Sequence, residues 1–433
     1  MSTSAPDAPG VSGAPDTSLA AGPARTADTG RWPDVAAVPA CSAARTAVAR
    51  RVVRHALNGL PLRVSLGAGE QLGEGGPLLE VRDPDTFLRR IATNGLIGFG
   101  ESYMAYEWDA DDLVGALTVL AGHAATLVPS PLQRLRALWA PRQPGALRNT
   151  PSGARTNIQH HYDLSNELFA LFLDPSLSYS SALFDRTPAT WADLTPGQYR
   201  KIDRVLDLCG VGPGTRLLEI GTGWGTLAIR AADRGASVHS VTLSAEQCDL
   251  ARRRVRAGGH EGRVRVDLCD YRQVRGSYDA IASVEMIEAV GPEYWPTFFR
   301  ALDTLLAPGG RVALQAITMP HDRMLASRST YTWVQKYIFP GGMLPSVRAI
   351  EENVRSHTRL RVTACDGFGE HYAQTLRLWR ERFAQQADAV EGLGFDDTFR
   401  RMWTFYLAYS EAGFRSRYLD VHQIQLTDQG EPS

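Results

Sequence analysis

Between Thr215 and Gln247 the chain reads TRLLEIGTGWGTLAIRAADRGASVHSVTLSAEQ. The side chains there that could do chemistry begin with Glu219, followed by a tight run holding Gly221, Gly223, Trp224 and Gly225. Without a Cβ, glycine lets backbone N–H groups and a helix N-terminus come close to a ligand. A carboxylate at that place is costly to bury unless it has a partner, and a cationic head group would be one. Thr242 and Gln247 follow around the next strand end, and one strand later Asp270 and Tyr271 put an acid beside an aromatic ring, which suits an adenine edge. S-adenosylmethionine (SAM) combines a cationic amino-acid head group with adenine. NAD would instead call for an acid at the end of the second strand, where this chain has Thr242 and Ser244.

These residues need one sheet edge to hold them together. Strands are expected at 216–220, 237–242, 263–268, 278–284 and 310–317, alternating with helices near 226–234, 245–257 and 294–306. That alternation predicts a doubly wound α/β domain with its crevice at the carboxyl ends of the strands. A helix at 347–357, a strand at 361–365, helices around 374–389 and 396–412, and a last strand at 419–426 complete seven strands with a late antiparallel hairpin. Such an order would fit the sheet of a class I SAM-methyltransferase, a Rossmann-like fold. Residues 157–185, with His160, His161, Tyr162, Asp163, Asn166, Tyr179, Ser180 and Ser181, are too polar and aromatic for plain core. They are expected to form a lid over the cofactor, with capping and turn hydrogen bonds as the ordinary alternative. The adjacent histidines lack a helical His-x-x-x-His or Cys partner, so no metal is expected.

At 433 residues there is room for two domains with full cores. A net charge of −1 argues against nucleic acid or another polyanionic partner. Five scattered cysteines without C-x-x-C spacing argue against disulfides and zinc, and for a reduced, cytoplasmic setting. Residues 1–40, rich in Pro, Ala, Gly, Ser and Asp, are expected to form a disordered tail. Residues 41–130 are expected to form a smaller N-terminal α/β domain: a helix from Ala43, strands at 62–66 and 78–81, a helix at 85–93, then a turn-rich aromatic segment at 95–113. Residues 131–156 form a basic linker in which Arg134, Arg136, Arg142, Arg148 and Arg155 are interleaved with Leu and Trp and no acid. Such a stretch suits an anionic membrane surface; a solvated interdomain connection with Pro141, Pro144 and Pro151 is the alternative. No apolar run approaches the roughly 20 residues that span a bilayer, so membrane contact would be peripheral.

With those residues assembled, the chain resembles the cyclopropane-fatty-acyl-phospholipid synthase family, including the mycolic-acid cyclopropane synthases. The matching segments are FGESYM (99–104), HYDLSNE (161–167), YSSA (179–182), LEIGTGWG (218–225), VTLSAEQ (241–247), YIFPGGMLPS (337–346), FGEHYAQTL (368–376) and GFRSRYLDVHQIQL (413–426). The resemblance implies a SAM-dependent C-methyltransferase that adds a methylene carbon across the cis double bond of unsaturated acyl chains of phospholipids, as a cyclopropane fatty acid synthase does. It also implies that residues 41–130 handle lipid, that 157–428 form the methyltransferase domain, and that the enzyme works peripherally on a membrane. A methylene-forming enzyme, an enzyme retargeted to a secondary metabolite and a non-catalytic lipid binder remain as alternatives. The oligomeric state, homodimer included, is left open.

The chemistry can be argued from the reactants. An isolated carbon–carbon double bond is a poor nucleophile, so its partner must be a strong electrophile such as a sulfonium methyl group. Methyl attack leaves a carbocation, which needs a dry pocket with aromatic faces and a base. Proton loss from the added methyl closes a cyclopropane ring, while loss from a neighbouring carbon leaves a methylene or other alkene. The resemblance implies a bicarbonate ion as that base, held at positions that fall on Ser181, Glu288, Gln315, Ile317 and Tyr372. Ser181 and Gln315 stand where the family has Cys and His, so the sequence departs from the ring-forming pattern there. Each residue also has an ordinary alternative: Glu288 as a helix N-terminal carboxylate, Tyr372 as core filler, Asp270 and Tyr271 as turn residues.

Overall fold

The computed structural model describes residues 27–67, 69–124, 127, 144, 149–150, 153, 165–328 and 330–428. Most of the expected tail, nearly all of the basic linker, and His160, His161, Tyr162 and Asp163 lie outside the described residues.

The N-terminal part is built on a small sheet of β1 (Arg63–Leu66), β2 (Gln71–Leu72), β3 (Leu78–Val81) and β4 (Trp108–Ala110), in the order β2-β1-β3-β4. The tail was expected to run to residue 40, yet residues 27–40 are folded against this unit. Val35 is buried, Arg90 donates to the carbonyls of Asp34 and Val35 at 2.8 and 2.6 Å, and Trp32 Nε1 donates to Asp396 at 2.8 Å. Composition favoured disorder, but contacts far along the chain override it. The turn-rich reading of 95–113 also needs correction, because Leu96–Met104 is a helix. Its glycines make a flat packing face: a Cβ on Gly98 would lie 2.2 Å from the Arg90 carbonyl oxygen, and one on Gly100 would lie 2.4 Å from the Trp333 indole. The aromatic residues around it are core, with Phe99 stacked on the fully buried Trp108 at 4.6 Å.

The main sheet comprises β5 (Arg216–Ile220), β6 (Ser237–Thr242), β7 (Val264–Leu268), β8 (Tyr278–Val284), β9 (Leu306–Thr318), β10 (Leu360–Gly367) and β11 (Asp420–Asp428), in the order β10-β11-β9-β8-β5-β6-β7. The strands from β5 to β9 pair in parallel, and β11 runs antiparallel to both β9 and β10. This is the class I SAM-methyltransferase sheet. In β5, Leu217, Leu218 and Ile220 are all buried, as expected of a parallel strand covered on both faces. The sheet reverses direction of growth between β5 and β8, and the crevice opens beyond their carboxyl ends.

A helical layer covers that edge. It includes Asn166–Phe172, Gly369–Gln385 and Asp397–Arg415, with Phe169, Phe172, Trp379 and Trp403 packed ring against ring. The same aromatic core continues into the N-terminal part through Phe405, which contacts Trp108, Tyr103 and Trp333. Lys336 and Tyr337 hold the buried Glu101 carboxylate at 2.5 and 2.9 Å, fastening the segment 331–346, which follows β9, to the helix Leu96–Met104. Among the described residues no helix is long and apolar enough to cross a membrane.

Candidate active site

The crevice over β5, β6 and β8 is lined by Tyr179, Ser180, Glu219, Gly221, Gly223, Trp224, Thr242, Gln247, Asp270 and Tyr271, as expected. Gly225 is the exception. It does not line the crevice; a Cβ there would press on Ala251 at 3.2 Å, so it serves the packing of the following helix. Gly223, at φ +51°, has nothing within 4 Å of where a Cβ would stand, which leaves its backbone open to a ligand.

Glu219 is buried and accepts from Ser240 Oγ at 2.5 Å. Burial pushes its carboxyl up to about 8, only partly opposed by Ser240. A buried acid this poorly compensated is a ready receptor for a cationic group. Thr242 Oγ1 donates to Gln247 Oε1 at 3.1 Å, joining the end of β6 to the helix Ala245–Ala257. Asp270 is engaged by Arg272 through contacts at 2.8 and 2.5 Å, a partner that sequence reading missed. The lid residues close the other side: Trp224 Nε1 donates to Asn166 at 2.7 Å, and Tyr179 stacks on Trp379 at 5.4 Å with its hydroxyl 2.8 Å from that of Tyr406. Glycine backbone, buried acid and aromatic lid together fit SAM, which when bound supplies an electrophilic methyl group.

Next to the crevice, the structure brings the five expected catalytic residues together, but around a residue that was not expected. Glu285 follows directly on β8 and lines the crevice. Its Oε1 accepts from the Ser181 amide at 3.0 Å and from Gln315 Nε2 at 2.8 Å, and its Oε2 accepts from the Tyr372 hydroxyl at 2.8 Å. Gln315 is oriented in turn by Gln423 Nε2, which donates to its Oε1 at 3.0 Å. Ile317 lies two residues along β9, so it faces the same side of the sheet as Gln315, and its amide donates to Glu288 Oε1 at 2.5 Å.

The two carboxyls differ in their surroundings. Burial pushes Glu288 up to about 8, the neighbouring Glu285 adds to this, and only backbone amides oppose it. Burial also raises Glu285, but Lys201, the Ser181 amide, Gln315 and Tyr372 all favour its anion. Side-chain and backbone donors therefore converge on Glu285, whereas Glu288 is met by backbone amides alone. Lys201, also missed in the sequence, is fully buried and donates to Ser180 Oγ, with burial lowering its ammonium to about 8. A signal for both was present: one of only two lysines in the chain, and a second acid three residues before Glu288 at a strand end.

Residues 150–424 match the family model described as mycolic acid cyclopropane synthetase. The chain belongs to that family. It is 54% identical over 420 residues to tuberculostearic acid methyltransferase UfaA1 of Mycobacterium tuberculosis, covering 95% of this chain and 98% of that protein. Its identity to the cyclopropane-fatty-acyl-phospholipid synthase of Escherichia coli is 35% over 355 residues, covering 80% of this chain and 86% of that one. Among solved structures, mycolic acid cyclopropane synthase CmaA1 complexed with SAH and CTAB superposes with a TM-score of 0.58 at 32% identity, covering 63% of this chain and 98% of that chain. The protein is a SAM-dependent methyltransferase of the cyclopropane synthase family.

Proposed function

We propose that this methyltransferase transfers the SAM methyl group to a carbon of a cis double bond in an unsaturated fatty acyl chain of a phospholipid, and that its product is branched rather than cyclopropanated. The observation that carries the reading is the Glu285 carboxylate, held by three donors at the junction of the cofactor crevice and the aromatic lid. A water-poor chamber with aromatic faces stabilises a carbocation, and a fixed anion at its wall can take the proton that must then leave. Tyr179, which lines the crevice and is backed by Trp379, supplies such a face. After a hydride moves to the cationic carbon, proton loss from the added methyl leaves a methylene branch on the open chain. Two differences from the ring-forming pattern, Ser181 and Gln315, favour this outcome, as does the 54% identity to a relative named as a methyltransferase against 35% to one named as a cyclopropane synthase.

Expression in a host that lacks such enzymes, followed by mass spectrometry of its fatty acids, tests the reading. A gain of one CH₂ identifies carbon transfer. Mild hydrogenation then adds two hydrogens to a methylene and none to a ring, so resistance to hydrogenation would establish the cyclopropane alternative. For access to the lipid, the arginine-rich stretch at 131–156 supports docking on an anionic membrane. An Arg134/Arg136/Arg142→Ala variant should pellet less with anionic vesicles than the parent, and equal pelleting would remove that stretch from the interaction.

A further inference from the structure

We propose that the Glu285 side chain is the resident proton acceptor of the reaction, occupying the place in which the family resemblance put a free bicarbonate ion. The inference deepens the functional reading above and rests on it.

Three of the five groups expected to hold bicarbonate, the Ser181 amide, Gln315 and Tyr372, donate instead to the Glu285 carboxylate at 2.8 to 3.0 Å. The other two, Glu288 and the Ile317 amide, are paired with each other at 2.5 Å. An amide and a phenol have one hydrogen each to give. A second anion would find both already engaged and would face the Glu285 carboxylate in a buried site. Bicarbonate does not fit this arrangement, whereas a side-chain carboxylate satisfies the same donors and needs no capture from solution.

The backbone carries a second, independent sign. Glu285 sits at φ +50°, in the left-handed region that a residue with a Cβ rarely adopts. Its amide donates to the Gln315 carbonyl at 2.7 Å, so the unusual conformation is locked by the same β9 residue that binds the carboxylate. Backbone strain held in place by its surroundings is the mark of a positioned functional group.

The carboxylate also has capacity left. Of about four acceptor positions on a carboxylate, the three donors leave one open on Oε2. Once the methyl carbon has bonded to one alkene carbon, a C–H bond of the cation breaks. Its electron pair forms the new carbon–carbon bond, and its proton passes to Glu285 and later to solvent. Charge and atoms balance with no anion from solution.

The test uses the full chain, SAM, and vesicles of an anionic phospholipid carrying oleoyl chains. Wild-type turnover should be the same in carbon dioxide-stripped buffer and after bicarbonate is added back. Glu285→Gln should lose turnover by at least ~100-fold, the contribution of a positioned base, while its affinity for S-adenosylhomocysteine measured by calorimetry is kept. Glu285→Gly removes the side chain, suits the left-handed backbone and frees the three donors. Its turnover should rise in a saturable manner with added bicarbonate or formate. Wild-type turnover that falls on stripping and returns with bicarbonate overturns the proposal, as does a fully active Glu285→Gln. Absence of methyl transfer by the wild type overturns the functional reading and this inference with it, whereas a methylating wild type with an active Glu285→Gln overturns the base assignment alone. Bicarbonate dependence of the wild type is read without any variant, so misfolding of a substitution does not blunt the test.

Discussion

The phenol of Tyr372 donates to Glu285 Oε2 at 2.8 Å, joining the helix Gly369–Gln385 to the residue just after β8. Burial and the adjacent Glu285 hold that phenol well above its ordinary range, so it stays a donor at any physiological pH. The two residues are 87 positions apart in the chain, and the bond ties the lid to the site's anion.

Tyr372→Phe keeps the ring packing and removes this one donor. A hydrogen bond to a charged group contributes about 1.5–3 kcal/mol, so turnover should fall about 10- to 100-fold at saturating SAM. Affinity for SAM should hold, because Tyr372 does not line the cofactor crevice. Steady-state kinetics on lipid vesicles check this, and an unchanged kcat would exclude the bond from catalysis.

Glu288 gives the protein a pH-dependent stability. Its folded-state carboxyl lies at about 8, above the ordinary 4.5, so the native state keeps a proton that the unfolded chain releases in between. Stability from this group is complete below about 4.5 and is lost as pH rises through about 8. Gln at this position does not titrate and can still accept from the Ile317 amide. The unfolding free energy of Glu288→Gln relative to wild type should therefore climb between pH 5 and pH 8, by an amount on the order of 1 kcal/mol per pH unit. Thermal unfolding at several pH values measures it, and parallel curves would contradict the assignment.

Gly223 and Gly221 should respond differently to alanine. Gly223→Ala meets no neighbour, so it should cost only ~1–2 kcal/mol of stability for its positive φ while weakening SAM binding at least ~10-fold. Gly221→Ala places a methyl group 2.5 Å from the Met286 side chain at φ +99°, so it should destabilise the fold more. Calorimetry for the ligand and a denaturation midpoint for each protein separate the two effects. Full SAM affinity in Gly223→Ala would remove that backbone from the cofactor site.

Arg90 is buried, pairs with Glu107 at 2.7 Å and binds two carbonyls of the 27–40 segment. Arg90→Met strands a buried acid whose carboxyl burial already raises to about 7. The expected loss is about 3–5 kcal/mol, with residues 27–40 becoming open to limited proteolysis. An unaltered denaturation midpoint with a protected segment would show that the apolar contacts of Val35 suffice.

The features legible in the amino-acid order are local ones. The β5 strand, the glycine turn after it and the crevice-lining residues Glu219, Thr242, Gln247 and Tyr271 each follow from an apolar run, a glycine position or a short motif a few residues long. Tertiary structure decided the rest, because it depended on meetings between distant segments. Glycines at 98 and 100 read equally well as turns or as a helix face, and only the approach of Arg90 and Trp333 makes them a helix face. Residues 27–40 read as disordered until Arg90 and Asp396 supply partners for their polar groups. Most of all, two acids three positions apart, Glu285 and Glu288, are alike in sequence. Donors from 181, 315 and 372 converge on one of them, with the buried Lys201 favouring its anion, and leave the other to backbone amides, because a charge away from water persists only where other parts of the chain hold it.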